Sequence, residues 1–143
     1  MPVVTLPRAQ SRNAMPRTAL AAFTADGARD FACDVLRAAG VVSVVPAGGG
    51  QDALRTAREQ HIDVIVTDWP GDDIELGDFI TTLRTNTNGA HGDTPVMFLT
   101  SRDSRADLDA ARRAGVDAYV VNPVSPALLK HRLSRLSMSP VGR

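Results

Sequence analysis

The stretch from Val64 to Asp73, VIVTDWPGDD, places Asp68 behind a run of four β-branched residues and sets Asp72 and Asp73 close after it. An aspartate so placed is either a reactive carboxylate held at the rim of a sheet or a polar residue that caps the turn after a strand. Other candidates sit in comparable places. Thr100 and Ser101 follow PVMFL, where a hydroxyl can serve a site or cap the next helix. Asn122 precedes Pro123, a pairing that also starts turns. The triple glycine Gly48–Gly50 lacks both the G-x-x-x-x-G-K-[ST] and the G-x-G-x-x-G spacing, so it reads as a strand–helix turn. His61, His91 and His131 share no metal-ligand spacing and read as surface residues. Cys33 is the only cysteine and lies in a helical pattern, which suits a small packed side chain better than a reactive thiol. No G-x-S-x-G motif and no cysteine–base pair offers a nucleophile for hydrolysis.

Any site must be held by a scaffold, and 143 residues give room for one domain. Lys plus Arg equals Asp plus Glu at 16 each, so no basic field favours nucleic acid. No apolar run is long enough for a membrane span and no signal-peptide pattern opens the chain, so a cytoplasmic protein is expected. Residues 1–17 carry three prolines and three arginines without a period, the mark of a disordered arm. Beyond it, apolar runs at Ala19–Phe23, Val41–Val45, Ile62–Thr67, Pro95–Leu99 and Asp117–Val121 read as strands.

Helical patterns alternate with these runs. The first follows Asp26 as N-cap, ends at Gly40, and sets Ala28, Phe31, Val35 and Ala39 on one face. The second spans 48–60 and the third 78–84, with Phe79, Ile80 and Leu83 inward. The fourth is closed by Gly115. The last has Ser125 as cap, Pro126 at its first position, Leu129, Leu133 and Leu136 inward, and Arg132 and Arg135 on its solvated face. This alternation predicts an α/β domain over 18–137 with a mainly parallel sheet, followed by a tail at 138–143. In such sheets functional residues collect beyond the carboxyl ends of the strands, which selects Phe23, Thr24, Asp68, Thr100, Ser101 and Asn122.

Taken together, HIDVIVTDW, TPVMFLTSRD, AGVDAYVVNPVSP and GGGQDAL resemble segments of the receiver domain of response regulators, in order and at family spacing. The resemblance implies a CheY-like, flavodoxin-like doubly wound sheet of five strands, order 2-1-3-4-5, with five helices. It implies Asp68 as phosphoacceptor, Thr100 as switch hydroxyl, Tyr119 as switch aromatic and Pro123 as a cis-proline. The family ends its first strand with two acids that hold Mg²⁺; those places fall on Phe23 and Thr24. Its lysine before the proline falls on Asn122, and its proline four residues after the aspartate falls on Asp72. Mg²⁺, if bound, would have Asp68, a backbone carbonyl near Pro70 and the Asp72 carboxylate.

The implied function is two-component (phosphorelay) signalling by a stand-alone atypical receiver, not an enzyme. It would work by contacts with a sensor histidine kinase or phosphotransfer protein and a downstream target, as a monomer or weak dimer. The face of the fourth helix, fifth strand and fifth helix is the expected output surface. Phosphorylation is expected to be weak or dispensable. The alternatives are a normally working phosphoacceptor and, from another class, a small flavodoxin-like nucleotide-binding protein or enzyme using the glycine turn.

Overall fold

The computed structural model describes residues 15–69, 73–85 and 91–136. Most of the arm, Pro70, Asp72 and the tail at 138–143 lie outside the described residues. The elements run β1 (Thr18–Ala22), α1 (Asp26–Ala38), β2 (Ser43–Ala47), α2 (Gly50–Glu59), β3 (Val64–Thr67), α3 (Leu76–Thr85), β4 (Val96–Thr100), α4 (Arg105–Ala114), β5 (Ala118–Val121) and α5 (Pro126–Leu136). All strand pairs are parallel, in the order β2-β1-β3-β4-β5. The expected doubly wound architecture is therefore the observed one.

The central strands β1, β3 and β4 are buried on both faces, as near-continuous apolar runs require. Alternation along them divides the core. Ala19, Ala21, Val64, Val66, Met97 and Leu99 pack with α1 and α5 through Ala32, Leu36, Leu129 and Leu133. Leu20, Ile65, Val96 and Phe98 pack with α2, α3 and α4 through Leu54, Phe79, Leu83 and Ala111. Gly115 ends α4 in the left-handed region at φ 108°, and a Cβ there would lie 3.3 Å from Ile80 Cγ2, so both conformation and space ask for glycine.

Several expectations are corrected. On α1 the inward stripe is Ala32, Cys33, Val35 and Leu36, while Phe31 is 45% exposed and Ala28 faces out. Leu36 lies at the middle of this stripe and packs in the core with Leu129 and Leu133 of α5, whereas Phe31 falls outside it. Asp26 is the first residue of α1 and not its cap; Ala25 takes that place without a side-chain bond, and Asp26 pairs with Arg29. β2 begins two residues late, because Val41 turns into the core while Val42 is 72% exposed. It then runs through Pro46, tolerated because β2 is an edge strand.

His91 is not a surface residue. It is 1% exposed, its Nε2 accepts the Ile62 N–H at 3.2 Å, and its ring stacks on that of His61 with centroids 6.2 Å apart. The backbone donor before β3 needs an acceptor, and the imidazole supplies it. Elsewhere Ser125 Oγ caps α5 by accepting the Leu128 N–H at 3.1 Å, and Gly40 ends α1 with φ 108°. Cys33 is buried, and His131, Arg132 and Arg135 are exposed.

Candidate functional site

The carboxyl ends of β1, β3 and β4 meet at one cleft of about 460 Å³, lined by Phe23, Thr24, Ala25, Ala28, Asp68, Trp69 and Arg102. Parallel register fixes this meeting: Ala22 stands opposite Thr67 and Thr67 opposite Phe98, so the residues just beyond each strand converge. Thr67 Oγ1 donates to the Ala22 carbonyl at 2.6 Å and locks β1 to β3 directly beneath the cleft. On the β1 side Arg29 Nη1 donates to the Phe23 carbonyl at 2.9 Å, which ties the loop above β1 to α1.

Asp68 is half-buried, and its Oδ1 is buried with no hydrogen-bond partner among the described residues. Burial pushes the Asp68 carboxyl above the usual carboxylate range. The Thr100 hydroxyl and the Arg102 guanidinium pull it down, and Asp107 pushes it up. Trp69 follows in the left-handed region at φ 36°, a conformation that costs a non-glycine residue about 1–3 kcal/mol. Its ring meets Phe98 edge-on at 5.0 Å, and Phe98 in turn meets Tyr119 at 5.8 Å. The Arg102 guanidinium lies over the Trp69 ring, 4.9 Å from its centroid. Trp69 Nε1, like Asp68 Oδ1, is buried without a partner among the described residues.

Thr100 is 1% exposed, and its Oγ1 accepts the Arg102 N–H at 3.1 Å. It is thus the last residue of β4 and does not cap α4; Ser104 does, accepting the Asp107 N–H. Tyr119 Oη donates to the Arg102 carbonyl at 2.7 Å, so Thr100 and Tyr119 grip the same residue. Burial raises the Tyr119 phenol, with Asp107 and Asp68 adding to it. Ser101 is exposed and outside the cleft lining. Asn122 and Pro123 follow β5 through a cis peptide, and Asn122 Oδ1 is buried without a partner among the described residues.

Sequence reasoning brought Phe23, Thr24 and Asp68 to one place and missed Arg102. An arginine two residues past a strand end, with a lone tryptophan available to stack on, was the available signal. The glycine turn holds no phosphate cradle, since Asp52 accepts the Gly48 N–H at 2.9 Å and Asp73 the Gln51 N–H at 3.1 Å. Backbone bonding from Gly48 in turn holds the Asp52 carboxyl below its usual range. Asp68 is the only carboxylate lining the cleft among the described residues, and no group of three or more His, Cys, Asp or Glu there could hold a metal. No helix is long and apolar enough to cross a membrane.

Three comparisons agree with this geometry. The family model for the response regulator receiver domain matches residues 23–134. The Vibrio cholerae chemotaxis protein CheY-3 is 29% identical over 103 residues, covering 72% of this chain and 78% of that protein. The solved structure of Vibrio cholerae chemotaxis protein CheY4 superposes with a TM-score of 0.72 at 26% identity, over 86% of this chain and 99% of that one. The receiver domain of a Pseudomonas aeruginosa sensor histidine kinase, with a magnesium ion coordinated in its active site cleft, shares the fold at 21% identity and a TM-score of 0.73, over 85% of this chain and 97% of that one. With the sheet order, the cleft beyond its carboxyl edge and the family match in agreement, the chain belongs to the response regulator receiver domain family of two-component signalling.

Proposed function

We propose that this receiver signals chiefly by protein contacts, with Asp68 at the phosphoacceptor position of a cleft poorly equipped for metal-assisted phosphorylation. Receiver domains work between histidine kinases and downstream targets, and the family uses Mg²⁺. The observation that carries the proposal is the cleft lining, in which Asp68 is the only acid among the described residues. Transfer of a phosphoryl group to Asp68 would form a bond from a carboxylate oxygen to phosphorus while the donor's bond to phosphorus breaks. That brings anion against anion, and its catalysis depends on positioning and charge neutralisation. Phe23 and Thr24 contribute no charge where two acids would bind the ion, and the Asn122 amide after β5 contributes none either. Loss of outer-shell metal partners alone costs about 10–100-fold, so loss of direct ligands costs at least as much.

A working phosphoacceptor is the second reading, and Arg102 favours it, because its guanidinium puts a positive charge on the mouth of the cleft. The deciding experiment incubates the protein with acetyl phosphate and Mg²⁺ and follows the phosphoryl mass shift. We expect little shift in the native protein and a clear one, abolished by Asp68→Ala, in the variant Phe23→Asp, Thr24→Asp, Asn122→Lys. Stoichiometric, Asp68-dependent phosphorylation of the native protein at millimolar Mg²⁺ would instead establish the second reading.

A further inference from the structure

The zero net charge of the chain hides an uneven distribution. From Arg105 to Leu136 six Lys or Arg side chains stand against three Asp, whereas the described residues before Arg105 carry seven against twelve Asp or Glu. The excess is greatest on α5, which carries Lys130, Arg132 and Arg135 and no acid. Arginines on α1 and α2 are treated differently: Arg29, Arg37 and Arg55 each face an aspartate three positions earlier on the same helix. The three α5 cations are exposed and make no ion pair among the described residues. Attraction to the carbonyl end of the helix accounts for Arg135 in the last turn and for neither of the others. Arg132 and Arg135 follow Leu128 by four and seven positions, so the three share one stripe of α5, with His131 beside them. Leu128, at the head of that stripe, is 41% exposed. Leu129, Leu133 and Leu136 hold the adjoining stripe in the core, which turns this one outward.

An exposed leucine followed by open cations suits an acidic segment with an apolar anchor. An anionic lipid surface or a nucleic-acid duplex suits it less. The eleven residues of α5 span about 16 Å, so a larger polyanion also meets the acidic remainder of the molecule. A short segment confined to the helix escapes that repulsion, because salt screens it beyond about 8 Å at physiological strength. Resting on the reading that this receiver works by protein contacts, we propose that the Leu128–Arg132–Arg135 stripe of α5 docks an acidic segment of a partner protein. An apolar side chain of the segment lies on Leu128. Its carboxylates accept from Arg132 and Arg135, whose planar forks offer a carboxylate two N–H donors each. Lys130 on the other flank adds attraction without direct contact. Exposed pairs are individually weak, so the affinity is modest and falls with salt.

Docking is read without phosphodonor or Mg²⁺, whereas the contact-based reading is tested by phosphoryl transfer, so each fails on its own result. The full chain labelled with ¹⁵N is titrated at about 50 mM salt with the capped peptide Asp-Glu-Leu-Leu-Asp-Glu-Ile-Asp-Glu-Leu. A saturable shift of the amides from Leu128 to Leu136 is expected. Arg132→Glu together with Arg135→Glu should weaken it about tenfold. Arg37→Glu together with Arg58→Glu makes the same change in net charge on α1 and α2, and should leave the affinity within about twofold. The remaining amide resonances report the fold of each variant. A peptide with Ser for its apolar residues, one with Lys for its acids, phosphatidylserine vesicles and a DNA duplex serve as comparison probes. Each should bind at least about fivefold more weakly. The inference is overturned by absence of a saturable shift, by shifts centred away from α5, or by equal loss in the α1–α2 variant. Tighter binding by vesicles or DNA overturns it too, as do α5 shifts that follow protein concentration without peptide, which would make the occupant a second copy.

Discussion

The two ends of the sheet differ in how fully their polar groups are paired. At the amino end, Asp63 Oδ2 accepts from the Arg17 and Thr18 amides at 3.1 and 3.0 Å, and Oδ1 lies 2.8 Å from His61 Nε2. Arg84 donates to the carbonyls of His91 and Thr94 and reaches Asp117, whose Oδ2 accepts the Val96 N–H at 2.9 Å. At the carboxyl end, Asp68 Oδ1, Trp69 Nε1 and Asn122 Oδ1 are buried without partners among the described residues, whereas at the amino end His91 Nδ1 alone is. Native proteins pair most buried polar atoms, so the two unpaired ones on cleft-lining residues, on Asp68 and Trp69, mark a place kept for something outside the described residues. One end of the sheet holds the fold together and the other is held ready.

If that division is right, the amino end should suffer most from polar deletions. Asp117→Ala removes the acceptor of the Val96 amide and the buried partner of Arg84, and should cost about 3 kcal/mol in urea unfolding. A loss below about 1 kcal/mol would show that the amino-end network is not a structural one.

His91 offers a pH test of the same end. Burial, with His61 and Arg84, holds its imidazole below the ordinary value of 6.5, while Asp63 pulls upward. The unfolded chain therefore binds the proton more readily. Stability is complete above 6.5 and is lost as pH falls through that value towards the lower native one. Protonation also removes the acceptor for the Ile62 N–H. Between pH 7 and 5 the native protein should lose about 1 kcal/mol that His91→Gln does not. Parallel stability curves for the two proteins would refute this.

The smallest effect, of opposite sign, belongs to the carboxyl end. Asp68→Asn should leave the protein as stable or raise stability by up to about 1 kcal/mol at pH 7, because the amide carries no charge to desolvate. The sign follows from the raised native value. The contribution of Asp68 is fully present below its ordinary 3.8 and is lost as pH rises through the native value. Destabilisation by Asp68→Asn at neutral pH would place Asp68 with the structural carboxylates and erase the contrast between the two ends.

Much of this was legible in the amino-acid sequence. Strands covered on both faces announce themselves as apolar runs, so β3 and β4 fell within two residues of expectation. β2 did not, because Val41 belongs to the core below the sheet and the edge strand itself reads as mixed. Asp68 could be singled out as a candidate because it ends a buried strand, although position alone left the capping of a turn equally open, and the structure places it in the cleft lining. Arg102 could not, since its role depends on an exposed side chain folding back over a ring thirty-odd positions earlier, which no period records. His91 was misread for a related reason. A polar loop reads as surface unless one asks which acceptor the Ile62 amide must find.

The edge position of Pro46 has one more consequence. Ser43 N–H and Ala47 C=O bond towards β1, so along β2 it is Val44 and Pro46 whose backbone faces away from the sheet. Pro46 has no N–H to offer there, which leaves Val44 the single outward amide of the strand. A chain laid alongside β2 to continue the ladder would find one donor where it needs at least two. Pro46 thus weakens this edge as a template for strand addition, one of the ways proteins blunt an exposed strand.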